Sequence, residues 1–282
     1  MYPKTLKQDY KQTYWSDDSA FKKNSSISTY MHYNYDHGMH SHSFYEINII
    51  YKGEGMHYIA DSSLPANKGD VFVIPPNVKH GYYSKKNLDI YHLLIKDEYI
   101  KNNNEELSSF RGYNMLFDIE PLLRSSSIKT QNLNLSESEL EKIYQELKYI
   151  HAVGEENDFI LENILSLSLI GKLSHIFFKK THEENSETKE NADLLKIISY
   201  IKNNLDSKLS IEALCEYANI SPATLNRRFK KNLNISTSEF VLQCRISRAK
   251  ELMMQQNLSK AEISQICGFY DTSHMNKYIK GI

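Results

Sequence analysis

The sequence is poor in cysteine. Three occur in 282 residues, Cys215, Cys244 and Cys267, all late in the chain. So small and odd a number argues against a disulfide framework and for free thiols in a reducing compartment. The N-terminus, MYPKTLKQDYKQTYW, lacks the apolar run of a signal peptide. No uncharged apolar stretch is long enough to span a bilayer. These absences point to a cytoplasmic protein with no membrane partner. An overall excess of one charge is also missing, with 34 Lys+Arg against 35 Asp+Glu. Hydrophobic residues at 40% and charged residues at 24% describe an ordinary globular chain, and its length suggests two domains.

The charge is balanced only in total. From Asn191 onward the chain has 13 basic and 8 acidic residues, a net of +5. The remainder has 21 basic and 27 acidic residues, a net of −6. A basic back half suits contact with a polyanion; ordinary scatter would give the same imbalance.

Residues of about 25–100 read as β. Runs such as FYEINIIY and DVFVIP alternate with turns such as KGEG, NKGD and PPNVKHG, a pattern of short strands in a sandwich or small barrel. At Ser136 the period changes. Ser136 and Glu139 form a capping-box signal, and Leu140, Ile143, Tyr144, Leu147 and Ile150 make a helical stripe. DFILENILSLSLIGKLSHIFF is a second helix, apolar around more of its girth. Two such helices side by side supply a dimer face or pack within the chain. THEENSETKE, Thr181 to Glu190, has no apolar residue and reads as a linker.

A repeat follows the linker. LSIEALCEYANISPATLNRRFKK matches LSKAEISQICGFYDTSHMNKYIKG. Each runs a short helix to a small residue (Ala218; Cys267), a turn residue (Asn219; Gly268) and an apolar residue (Ile220; Phe269), then opens a second helix. Asn and Gly tolerate a left-handed turn, and the pattern is that of a helix-turn-helix. Ile220 and Phe269 are 49 apart, whereas Leu225 and Met275 are 50 apart, so the second copy has one inserted residue. Ser221 is an N-cap with Pro222 at the first helical position. Leu225 and Phe229 point inward. Ala223, Thr224, Asn226, Arg227 and Lys230 are left toward solvent or a DNA groove, where Asn and Arg can pair with base edges. Arg228, Lys230 and Lys231 suit phosphates. In the second copy Thr272, Ser273, Asn276, Lys277 and Lys280 take the corresponding places. A helix over Ser236–Gln256, with Phe240, Val241, Cys244, Ile246, Ala249, Leu252 and Met253 facing the units, holds the two reading helices apart. If both enter one face of a duplex, they lie about 34 Å apart.

SPATLNRRFKK, ISTSEFVLQCRISRAKELM and ISQICGFYDTSHMNKYIKG closely resemble the AraC/XylS family of bacterial transcription regulators, over roughly residues 192–282. The resemblance implies an α+β chain: an N-terminal cupin-like β-barrel with dimerisation helices over 1–180, a linker over 181–191, and an all-α DNA-binding domain with two helix-turn-helix units over 192–282. It implies a regulator of transcription, usually an activator, rather than an enzyme, with no cofactor. The partners it implies are double-stranded DNA, RNA polymerase, a second copy of the chain, and a small-molecule effector for which a carbohydrate is the candidate. Lys277 and Ile279 stand where the family usually has arginine and phenylalanine, and Asn234 and Thr237 replace a common glycine and proline. The family's final helix is expected to be absent from this sequence, which stops at Ile282.

HSHSFYEINIIYKGEG and KGDVFVIPPNVKHGYY resemble the two cupin motifs. His40 and His42, two apart on a strand, point the same way; Glu46 shares that face and His80 comes from the second motif. The rival reading is therefore a metal-dependent cupin enzyme with His40, His42, Glu46 and His80 as ligands. Barrels of the resembled family mostly bind an organic effector without metal, which assigns His40, His42, Glu46, Tyr58, His80 and Tyr82 to an effector pocket. The barrel sequence is rich in Tyr and His, whose rings stack on a sugar's apolar face and bond its hydroxyls; an ordinary amphipathic barrel uses them equally. Tyr10, Tyr14 and Trp15 lie on a segment that would fold over the pocket.

Overall fold

The computed structural model describes residues 13–59, 62–125, 132–182, 188–233, 235–254 and 258–279. It divides into two compact units, Met1–Glu184 and Asn185–Ile282.

The first unit is built on eight strands: β1 (Thr13–Trp15), β2 (Ile27–His32), β3 (His37–His42), β4 (Tyr45–Ile59), β5 (Ser62–Asn67), β6 (Asp70–Ile74), β7 (His80–Ile95) and β8 (Leu133–Asn134). Two long strands organise it. β4 and β7 pair antiparallel along their length, from Tyr45↔Ile95 to Ile59↔His80, with bulges between Ile50 and Gly55. Bulges bend a strand and raise its twist. One half of the pair then accepts β2 and β6, and the other accepts β3 and β5. Gly53 lies at the bend with φ +81°, and a Cβ there would meet Asn87 O at 2.1 Å, so only glycine fits.

Alternation along β4 and β7 makes two cores. Ile47, Ile49, Tyr91, Leu93 and Ile95 face outward from the barrel and pack with Leu140, Ile143, Leu147, Leu169 and Leu173. The helical residues come from α5 (Glu137–Glu155) and α6 (Phe159–His182); shorter helices α1 (Asp17–Ala20), α2 (Asp97–Asn102), α3 (Asn104–Ser109) and α4 (Glu120–Ser125) and a π-helical turn over Asn114–Ile119 complete the described part of the unit. Inside lie Tyr35, Ile50, Phe72, Tyr82, Leu88 and Ile90. The capping box of Ser136 and Glu139 is formed at the start of α5, and Leu140, Ile143, Leu147 and Ile150 are its buried stripe. Phe159–Thr181 is long and apolar enough, by length and composition alone, to cross a membrane, with mean hydropathy 1.3. Glu162, Lys172, Lys179 and Lys180 break it into shorter uncharged runs. Leu169, Ile170, Leu173 and Phe177 of this helix are buried in the unit's core.

The second unit is helical: α7 (Thr188–Asn203), α8 (Ile211–Ala218), α9 (Pro222–Leu233), α10 (Thr237–Met254), α11 (Lys260–Ile266) and α12 (Thr272–Tyr278). The linker expected over 181–191 is narrower: α6 runs to His182 and α7 starts at Thr188, and 183–187 lie outside the described residues. Leu225 and Phe229 are fully buried, with Phe229 5.4 Å from Phe240 of α10. Ala249, Leu252, Ile263, Cys267, Phe269, Met275 and Ile279 form the second core, so α10 serves both helix pairs. Cys215, Cys244 and Cys267 are buried free thiols.

Candidate functional sites: two reading helices and a buried polar centre

In the first copy Asn219 ends α8 in the left-handed region at φ +51°, and Ser221 Oγ accepts from Thr224 N at 3.2 Å to open α9. Beyond that cap, Ser221, Ala223, Arg227, Lys230 and Lys231 are exposed. Thr224 and Asn226 are half-buried, and Asn226 Oδ1 accepts from Thr237 Oγ1 at 3.1 Å, which ties it to α10. Arg228, expected on a phosphate, is instead 8% exposed. The expectation failed because Arg228 precedes Phe229 and follows Leu225 by three, so helical geometry turns it to the inner face.

In the second copy Gly268 turns at φ +68°, and Asp271 caps α12 by accepting from His274 N at 2.6 Å. Ser273, Asn276 and Lys277 are exposed and Thr272 is half-buried. Lys280 lies outside the described residues. The one-residue insertion falls between Phe269 and the Asp271 cap. It is Tyr270, 93% exposed. Sequence reasoning counted the insertion without naming this residue.

Within the barrel, Glu46 is the centre of a histidine cluster. His80 Nε2 lies 2.9 Å and His42 Nε2 3.3 Å from its Oε2, and His92 Nδ1 lies 2.8 Å from its Oε1. All four side chains are buried. Glu46 does not share a strand with the histidines: the chain turns at Ser43 and Phe44, between β3 and β4. It still meets His42, across the turn between two strands that both pair with β7, rather than by alternation along one strand. Burial alone would raise the Glu46 carboxyl, but its contacts with His42, His80 and His92 hold it well below the ordinary value. Burial, then the nearby His80, pushes His40 down to about 2. Burial lowers His80 too, against the pull of Glu46. Tyr82 is raised well above its usual value by burial and by the Glu46 charge, and its hydroxyl accepts from Asn48 Nδ2 at 3.2 Å.

The structure therefore brings together His40, His42, Glu46, His80 and Tyr82. Tyr58 is the exception. It is buried, but its neighbour His57 stacks on Tyr82 at 4.5 Å, so alternation puts Tyr58 on the opposite face. Three interior residues were left out of the expected pocket: His92, His57 and Asn48. Each was visible as a polar residue inside an apolar strand run, IYHLLI, MHYI or INII. Arg124 also enters: its guanidinium pairs with Glu120 at 2.8 Å, donates to Val73 O at 2.5 Å, and reaches His57 Nδ1 at 3.5 Å. His40, Glu46 and His80 each offer a ligand atom within 4.8 Å of the others, a spacing that can hold a metal ion.

β1 runs parallel to β3, pairing Thr13–Trp15 with His40–His42. Trp15 packs on His37 at 5.4 Å and on His40 at 5.0 Å. Ser43 Oγ donates to Asp17 just beyond it. Tyr14 is exposed, and Tyr10 lies outside the described residues.

A barrel with a buried polar centre and a unit with two capped reading helices define a one-chain regulator, a sensor and a DNA reader together. An AraC-like ligand binding domain matches residues 24–152, and a helix-turn-helix domain matches residues 214–282. The transcriptional activator RhaR of Escherichia coli (strain K12) is 23% identical over 239 residues, 84% of this chain and 80% of that protein. RhaR of Enterobacter sp. (strain 638) is 24% identical over 237 residues, again 84% and 80%. The crystal structure of ToxT from Vibrio cholerae is 14% identical, covers 91% of this chain and 94% of that one, and has a TM-score of 0.45. The chain belongs to the AraC family of DNA-binding transcription regulators.

Proposed function

We propose that this regulator is a homodimeric, cytoplasmic activator that answers to a small polar molecule, of the carbohydrate class, taken up in the barrel. The single observation that carries the DNA half is the pair of capped helices α9 and α12, each presenting short polar and basic side chains beside a buried apolar face. On this reading Arg227 contacts a base edge, Lys230, Lys231 and Lys277 contact phosphate, and Ser273 and Asn276 read the second half of the site. Activation is supported by the named role of the RhaR relatives, and on this reading it works through contact with RNA polymerase. A dimer face is supported by Ile160 and Ile164 on α6, 77% and 58% exposed, and by Tyr149 on α5. The comparisons give the enzyme reading no support.

The effector changes the protein by favouring one of two arrangements, and β1 is the element placed to report it. Trp15 is the chain's single tryptophan and packs against His37 and His40. The test is anisotropy of the full-length protein on its own upstream DNA against random competitor, at stated salt, with a monosaccharide panel added. Specific binding that shifts with one sugar, together with a change in Trp15 fluorescence, supports the reading. Binding without sequence preference would refute the DNA half; no sugar effect and no fluorescence change would refute the effector half.

A further inference from the structure

Three parts of the helical unit meet at the second helix-turn-helix turn. A Cβ on Gly268 would lie 1.9 Å from Leu205 O, 2.8 Å from Arg245 Nη2 and 3.0 Å from Arg245 Nε. Leu205 belongs to the loop of residues 204–209, which leads to the Ser210 cap of α8. Arg245 belongs to α10. Its Nη2 donates to Ser207 O of that same loop at 3.0 Å. The guanidinium therefore fills the corner between the entrance to the first helix pair and the turn of the second.

Both sides of the corner are tied down. In the loop, Ser207 N donates to Asn204 O at 3.0 Å and Ser207 Oγ donates to the same oxygen at 2.7 Å. Asn204 Nδ2 donates to Tyr200 O of α7 at 2.8 Å. Ser210 Oγ then accepts from Ala213 N at 3.2 Å to open α8. In the turn, Gly268 N donates to Gln265 O at 3.0 Å and Phe269 N to Ser264 O at 2.9 Å. A shift at the corner is thus passed to α9 through α8, and to α12 through the turn.

Packing does not account for an arginine here. Arg245 Nε is buried with no hydrogen-bond partner among the described residues, a cost that an apolar side chain would avoid. What the guanidinium adds is a charged donor on a backbone carbonyl, about twice as strong as a neutral one. α10 packs against both helix pairs, but a shared helix leaves each pair able to rock about its own core. Arg245 joins the two across the gap.

We propose that Arg245 is a positioning residue that locks the two helix-turn-helix units against each other, so that the regulator accepts one spacing of its two half-sites. This role rests on the DNA-binding reading of α9 and α12. One base pair more or less moves a half-site by about 3.4 Å and turns it by about 35°. A locked pair cannot follow that change; a pair free to rock follows in part.

The test titrates full-length wild type and Arg245→Met on the operator, and on operators lengthened or shortened by one base pair between the half-sites, at one stated salt. Wild type should bind the mis-spaced sites at least about tenfold more weakly, the cost of losing a single good bidentate base contact. In Arg245→Met that penalty should shrink several-fold, because a hydrogen bond to a charged group biases two arrangements by about tenfold or more. A residue that only stabilises the fold would weaken all three sites alike and leave the penalty unchanged, and that result would overturn the proposal. So would wild type that binds the three spacings equally while still rejecting random DNA. Wild type that does not prefer the operator to random DNA would remove the DNA reading itself, and this role with it. Circular dichroism checks that the variant folds. Should it unfold, spin labels at Ala223→Cys and Ser273→Cys, both exposed on the reading helices, report on the chain with Arg245 in place; Cys215, Cys244 and Cys267 are buried. One narrow distance without DNA is the expected result, and a broad or double distribution would overturn the lock.

Discussion

Gly268→Ala puts the second helix-turn-helix turn under two separate loads. Gly268 sits at φ +68°, where an L side chain costs about 1–2 kcal/mol. The new Cβ would also lie 1.9 Å from Leu205 O and 2.8 Å from an Arg245 guanidinium nitrogen. The arginine can swing aside, but the Leu205 oxygen is backbone. Ordinary contact begins near 3.4 Å, so two chain segments must part by more than an ångström. Overpacking of this kind costs about 1–3 kcal/mol, which brings the total to about 2–5 kcal/mol. A domain is stable by about 5–15 kcal/mol, so the variant folds but is weakened. At about 4–8 °C per kcal/mol for a domain of this size, the helical unit should melt roughly 10 °C lower or more. Full-length thermal unfolding resolves it with two probes. Trp15 fluorescence follows the barrel, whose transition should not move, and far-UV circular dichroism follows the helices. The control is Asn219→Gly in the first turn. Asn219 holds φ +51° already, so glycine there should change the melting point by only a few degrees. Equal melting of Gly268→Ala and wild type would refute the steric argument.

Arg227→Ala should cost about 1–3 kcal/mol at one base position of the operator, read from binding to singly substituted sites. Arg228→Ala should instead lower the melting point of the helical unit and leave the salt slope of DNA binding unchanged, because Arg228 is buried; a reduced salt slope would return it to the phosphate contacts. Tyr270→Ala should weaken DNA binding with no change in melting temperature, since the ring is 93% exposed beside the α12 cap; unaltered affinity would make it a bystander. Burial raises the Glu162 carboxyl above its ordinary value, against the hydrogen bond from Ser25 Oγ at 2.8 Å. The folded barrel unit then holds this proton more tightly than the unfolded chain does. The resulting stability is fully present below the ordinary carboxylate range and is lost as pH rises through the raised value. Glu162→Gln should flatten that slope in denaturant titrations run across acid pH, and a slope as steep as wild type would sink the assignment.

What could be read in advance depended on whether the signal was local. The turns at Asn219 and Gly268, the caps at Ser136 and Ser221, and the buried pair Leu225 and Phe229 are set by a few neighbouring residues, so spacing and turn chemistry revealed them. Arg228 misled because a basic residue in a basic run looks like a phosphate contact until the helix is wound. The barrel centre was half legible. His40, His42 and His80 lie in short motifs. His92 reaches Glu46 only because β7 is sixteen residues long and pairs with β4 from end to end, which no local pattern announces. Tyr58 failed for the complementary reason: the bulges between Ile50 and Gly55 reset the alternation, so faces counted from Glu46 do not carry over to the far half of β4.

That alternation also says how the barrel centre can be felt elsewhere in its own unit. Glu46 and Asn48 point into the polar centre, while Ile47 and Ile49, between and beside them, sit in the cluster with Leu140, Leu147 and Leu173 of α5 and α6. On β7 the same holds for His92, which touches Glu46, and its neighbours Tyr91 and Leu93, which face the helices. Tyr91 even donates to Leu147 O of α5 at 3.2 Å. A strand is one rigid backbone with two faces, and close-packed side chains transmit displacement rather than absorb it. A ligand that draws Glu46 and His92 toward itself therefore pulls on the very residues that seat α5 and α6. A change at the centre needs no separate relay to reach the helices, because one residue further along each strand is already packed against them.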